Sequence, residues 1–173
     1  MPDITRCYVA LLVALVLALG ACSASNPPPP QPVRIDHDAV AAIRAAGNGL
    51  DSAVQVHPLH DPAVDGLLAK AHAAEAARDF DAAAAATESA LKLAPDAPEI
   101  LQYLAELEVD QSHWLRAEQL AIKSFTLGPK VGNLCARNWQ TVIEARTALN
   151  DRATRAAARE RLKECRVPPP VRM

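Results

Sequence analysis

Aromatic side chains are scarce, at 3% of a 173-residue chain, so any core must be packed by alanine and leucine. That shortage disfavours a sheet, which draws on aromatic and β-branched residues, and favours helices whose backbones approach closely. An excess of positive charge is also missing, since the formal charge is −2. With that balance, a nucleic-acid binder is disfavoured. Catalytic signatures are lacking as well. No G-x-x-x-x-G-K-[ST], H-E-x-x-H, G-x-S-x-G or C-x-x-C-H occurs, so phosphate-loop, zincin, serine-hydrolase and haem-attachment chemistries have no motif to stand on. What is present is an apolar content of 50%, enough for one domain with a real core.

The N-terminus reads as a targeting segment. Arg6 precedes an apolar run from Val9 to Leu19 that is too short for a comfortable membrane span. Leu19-Gly20-Ala21-Cys22 follows, which resembles the lipobox of bacterial lipoproteins. The resemblance implies a signal peptide over 1–21 and a diacylglycerol on Cys22. Ser23 stands where an Asp would hold the protein in the inner membrane by resemblance to the enterobacterial sorting rule, so an outer-membrane anchor facing the periplasm is expected. Pro27 to Pro30 and Pro32 are expected to extend as a polyproline spacer, giving a linker over 22–35.

Shifting the sequence on itself by 34 residues aligns Arg78-Asp79-Phe80-Asp81-Ala82-Ala83 with Ser112-His113-Trp114-Leu115-Arg116-Ala117, and Ala90 to Pro95 with Ser124 to Pro129. This period and pattern resemble the tetratricopeptide repeat. The resemblance places the small residues Ala71, Ala83 and Ala90, the aromatic Phe80 and the terminating Pro95 in one repeat. Ala105, Ala117, Ser124, Trp114 and Pro129 fill the same roles in the next. Ala74 and Glu108 depart from the pattern where the family carries a large aromatic, so looser packing is expected there. The fold expected is an all-α solenoid of helical hairpins over 63–166, with helices near 63–77, 80–93, 98–110 and 114–127. A degenerate third hairpin follows near 133–148 and 151–165, turning at Asn150-Asp151. Residues 36–62 supply a leading helix near 36–46, broken by Gly47-Asn48-Gly49 and expected to cap the solenoid. A proline-rich tail over 167–173 ends the chain.

Once Cys7 leaves with the leader and Cys22 takes its lipid, Cys135 and Cys165 remain. They are equidistant from the turn at residue 150, and antiparallel helices bring such positions to one height. A structural disulfide, persistent in an oxidising envelope, is the expected outcome. Two inert buried thiols and a redox pair are the alternatives, the latter without a C-x-x-C to support it. His57-Pro58-Leu59-His60-Asp61 raises the question of a metal, but it has no helical register and too few ligands, and reads as a solvated loop. No catalytic residue, metal or cofactor is expected. An envelope enzyme or a metal-binding accessory protein is the alternative class.

By the resemblance, the first helix of each repeat lines a concave groove. Carried onto this chain the lining is Asp65, Leu68, His72, Glu75 and Ala76, then Glu99, Gln102, Glu106, Val109 and Asp110, with Asn133, Ala136, Gln140, Ile143 and Glu144 from the third unit. These positions are acidic with a few apolar contacts and hold no lysine or arginine. A basic or amphipathic segment of an envelope protein is therefore the expected partner, seated on Leu68, Val109 and Ile143. Self-association would lengthen so short a groove. Trp139 stands where the repeat prefers a small residue and is expected to fill the interface with the last helix, an exposed partner anchor being the alternative.

Overall fold

Seven helices run through residues 33–50 and 61–166, the residues described by the computed structural model. They are α1 Ala39–Ala46, α2 Pro62–Ala76, α3 Phe80–Leu93, α4 Pro98–Asp110, α5 Trp114–Leu127, α6 Asn133–Ala148 and α7 Arg152–Glu164. The expected leader, Cys22, the proline stretch, His57, His60 and the tail lie outside those residues.

Local chemistry sets where each helix begins. Asp38, Asp61, Asp79 and Asp151 stand before α1, α2, α3 and α7, and their carboxylates accept the backbone N–H of Ala41, Ala63, Ala82 and Thr154. Each satisfies an amide that the helix leaves without a partner. Pro62 and Pro98 open α2 and α4, where the missing N–H is not needed.

The turns inside the three hairpins share one geometry. Arg78, Ser112 and Asn150 adopt left-handed backbone angles, with φ of 60°, 62° and 55°. At each, the left-handed residue donates to the carbonyl three residues back, and the next residue donates five back: Arg78 to Glu75 and Asp79 to Ala74, Ser112 to Val109 and His113 to Glu108, Asn150 to Thr147 and Asp151 to Arg146. This is the Schellman closure of a helix end. Only Asn150 carries a residue type that tolerates the conformation well.

α2–α3, α4–α5 and α6–α7 pack as successive hairpins, with α3 on α4 and α5 on α6 joining them. The small residues of the repeat pattern lie at the crossings: Ala71, Ala83, Ala90, Ala105, Ala117 and Ser124 are all 0% exposed. An alanine there allows the helix axes to come close, which a longer side chain would prevent. α4 is the central element, buried from Ile100 through Val109. Its Glu108 corrects the expectation of loose packing. The carboxylate is buried and held by Arg116 Nε and His113 Nδ1, both at 2.8 Å, so an ion pair fills the place of the family's aromatic ring.

The third hairpin is closed by a disulfide between Cys135 in the first turn of α6 and Cys165 just past α7, with Cα atoms 5.5 Å apart. Beside it Trp139 packs edge-on to Phe125, with ring centroids 5.0 Å apart, and against Leu162. That is the interface role expected of it.

The leading helix does not cap an end of the solenoid. α1 lies on α4 and α6, running antiparallel to α6. The Gly47 carbonyl accepts from Asn133 Nδ2 at the start of α6, while His37 reaches Glu144 and the Val33 N–H reaches the Ala148 carbonyl at its far end. The reason is in the apolar side of α1. Ala39, Val40 and Ile43 bury against Val109 and Ala117, and burying an isoleucine alone is worth about 1.5–3 kcal/mol. Gly47 allows the close approach, because a Cβ there would sit 2.7 Å from the Asn133 carboxamide.

Candidate binding groove

The face formed by α2, α4 and α6 is the one expected to receive a partner, and α1 occupies its middle. Of the expected lining, Asp65, His72, Glu99 and Asp110 are exposed, and Leu68, Glu75, Asn133 and Gln140 are half-buried. Gln102, Glu106, Val109, Ala136, Ile143 and Glu144 are buried. Val109 is covered by α1, while Ile143 turns into the core beside Ala105 and Ala121. Ile143 is therefore no part of an open apolar seat. Ala76 is exposed at the end of α2.

Nor is the groove free of cations. Arg44 of α1 donates through Nε to Glu106 at 2.8 Å and through a terminal nitrogen to Glu75 at 2.6 Å. Arg137 of α6 donates through Nε to the other oxygen of Glu106 at 2.9 Å, and Gln102 Nε2 adds a bond to that oxygen at 3.0 Å. Gln102 is itself fixed by Thr141 Oγ1 at 2.9 Å. A carboxylate that is 0% exposed needs such partners, since an unpaired buried charge is strongly destabilising. Counting repeat positions could not find this, because Arg44 lies outside the repeats and Arg137 is not at a position that the repeat assigns to the lining.

These contacts set the protonation behaviour of the face. Burial works to raise the Glu75 pKa, but hydrogen bonds from Arg44 and Tyr103 outweigh it and hold Glu75 below the ordinary carboxylate range. Tyr103, which donates to Glu75 at 2.8 Å, is pushed above its ordinary value by burial and by that carboxylate. Asp110 is raised, first by burial and then by the charge of Glu75. Burial acts to lower His37, yet the Glu144 charge and hydrogen bonds to Asp36 and Glu144 leave its pKa raised.

α1 divides the groove into two openings. At its C-terminal end is a cavity of about 340 Å³ walled by Arg44, Asn48, His72, Glu75, Tyr103 and Arg137. The His72 ring leans on Tyr103, with centroids 4.5 Å apart. At its N-terminal end is a cavity of about 630 Å³, where Ile35, Val40, Phe80 and Trp114 give an apolar floor and His37, Arg78 and Asp110 a polar mouth. Among the described residues no three His, Cys, Asp or Glu side chains gather as metal ligands. No helix among them is long and apolar enough to cross a membrane.

A family model described as the tetratricopeptide repeat matches residues 64–107, which span α2, α3 and most of α4. Among solved structures, the globular C-terminal domain of P. aeruginosa LpoP is 30% identical, with a TM-score of 0.56. The match covers 61% of this chain and 99% of that one. No curated protein matches.

Proposed function

Because the chain belongs to the tetratricopeptide-repeat family, we propose that it is a protein-binding scaffold of the bacterial envelope. In this reading Cys22 carries the lipid that anchors it in the outer membrane. The helical domain faces the periplasm and holds a basic or amphipathic segment of an envelope protein on the concave face. The observation that carries the proposal is the way α1 is held. Its Val40 and Ile43 meet Val109, and its Arg44 spans Glu75 and Glu106, so the face already grips a short helix with the apolar and basic chemistry expected of the partner. The proposal assigns binding rather than catalysis. The open surface is the pair of cavities flanking α1, with His72 lining one and Asp110 the other, and Glu99 is a further exposed acid among the expected lining positions.

The test is affinity capture from detergent-solubilised envelopes, comparing the native protein with a Glu99→Lys, Asp110→Lys variant. Both positions are exposed, so the fold should survive charge reversal. The proposal expects one partner to disappear from the variant while its thermal melt is unchanged. Identical capture by both proteins would sink the acidic groove as the binding surface.

A further inference from the structure

Charge is unevenly spread over this molecule. Residues 152–166 hold six basic side chains, Arg152, Arg155, Arg159, Arg161, Lys163 and Arg166, against Glu160 and Glu164, in a chain of formal charge −2. The two acids are already engaged, Glu160 by Lys163 at 2.8 Å and Glu164 by Arg161 at 2.9 Å. Arg152 and Arg159 are exposed and have no acidic partner among the described residues. Arg155 Nε is buried with no acceptor among the described residues. Arg152, Arg155, Arg159 and Arg166 recur at helical spacing along one side of α7 and its last turn. Between Arg152 and Arg159 the exposed residues Ala153, Ala156 and Ala157 are small. α7 is the last helix of the described residues and packs on α6.

A second observation says what lies opposite. The chain arriving from the N-terminus enters the described domain at Val33, whose N–H donates to the Ala148 carbonyl at 2.6 Å. Ala148 ends α6, and α7 starts at Arg152 on the other side of the turn. Ten residues lie between Cys22 and Val33, and at the ~3.1 Å rise per residue of polyproline II the eleven steps reach about 34 Å. The tether therefore holds the α7 end of the domain at high effective concentration over the bilayer that carries the lipid.

We propose that α7 is a membrane-facing surface that docks the domain on anionic phospholipid headgroups of the leaflet holding the anchor. This rests on the reading of Cys22 as lipidated. Arginine suits the task because its planar fork of donors matches a phosphate and stays charged. α1 packs on α4 and α6 rather than on α7, so docking through α7 leaves the concave face open to a protein partner.

The experiment uses the mature lipidated protein on vesicles of phosphatidylethanolamine alone or mixed with phosphatidylglycerol, and follows phenylglyoxal labelling of individual arginines by mass spectrometry. Labelling of Arg152 and Arg159 should slow about fivefold on the anionic vesicles and recover in high salt, with Arg78 in the first hairpin unchanged. An Arg152→Glu, Arg159→Glu variant should lose the protection at Arg166 while its thermal melt stays the same. Equal labelling on both vesicle types, with the protein floating on both, overturns the proposal. So does protection that appears only when an acidic protein is added. A protein that fails to float even on zwitterionic vesicles shows that the anchor reading is at fault, and the docking surface falls with it.

Discussion

The first and third hairpins have the same topology and the same turn, yet they are held together by different means. In α2–α3 the contact is made by alanines, with Ala71, Ala83 and Ala90 fully buried and the helices drawn close. In α6–α7 a tryptophan stands where the repeat would carry a small residue. Trp139 and Leu162 pack beside the Cys135–Cys165 bond that closes this hairpin. The first hairpin relies on shape repeated along the chain, and so the family model begins there. The third relies on a covalent link and one large ring, which repeat arithmetic treats as departures.

If the two hairpins are stabilised so differently, matched changes should part them. The largest effect is expected from Cys135→Ala with Cys165→Ala. Opening a loop of sequence separation 30 should remove roughly 3–4 kcal/mol by the chain-entropy estimate, seen as a lower denaturant midpoint that reducing agent reproduces in the native protein and not in the variant. Trp139→Ala would make the third hairpin conform to the repeat pattern. It should nevertheless destabilise by about 2–3 kcal/mol, below the range for a fully buried tryptophan because this one is half-buried; a variant as stable as the native protein would mean the α6–α7 gap can close. In the first hairpin the reverse change, Ala83→Leu, should cost about 1–3 kcal/mol through overpacking, and thermal melting that is unmoved would contradict the close approach described there. A gain is expected at the shared turn. Ser112→Gly should stabilise by about 0.5–1 kcal/mol, because glycine adopts the left-handed angle without strain, while Asn150→Gly should change little.

The smallest effect concerns the contact of residue 37 with the third hairpin, which the first hairpin does not have. The folded pKa of His37 is raised, so its bond to Glu144 contributes fully below the unfolded value near 6.5 and is lost as pH rises through the folded value. His37→Gln should abolish a slight fall in stability on going from mildly acidic to mildly alkaline pH. Because the ring is 46% exposed, that fall will be modest.

Much of this architecture is legible in the sequence, for physical reasons that also mark the limit. Apolar and small residues at helical spacing set the six repeat helices to within a residue or two, because local periodicity decides which side is buried. The disulfide followed from two cysteines equidistant from a turn. The position of α1 did not follow, since Arg44 and Glu106 are 62 residues apart in sequence and no local pattern records a pairing at that range. Glu106 was expected as a groove acid for a partner because the repeat resemblance places it at a lining position. Its burial comes from α1 and Arg137 arriving from elsewhere. Arg78 and Ser112 gave no sign of their left-handed angles, as neither is glycine or asparagine.

The carboxylates that α1 touches each have another partner within the repeats. Glu106 keeps Arg137 and Gln102, Glu75 keeps the Tyr103 hydroxyl, and Glu144 keeps Gln140 at 2.6 Å. Departure of α1 thus leaves each of them a hydrogen bond, and Glu106 its counter-charge in Arg137, and an eight-residue helix is too short to persist by itself in water. α1 should accordingly behave as a foldon of its own. Its amide protons will exchange together, at an opening free energy well under that of the central α4, so that the groove passes between a closed and a vacant form without the solenoid unfolding.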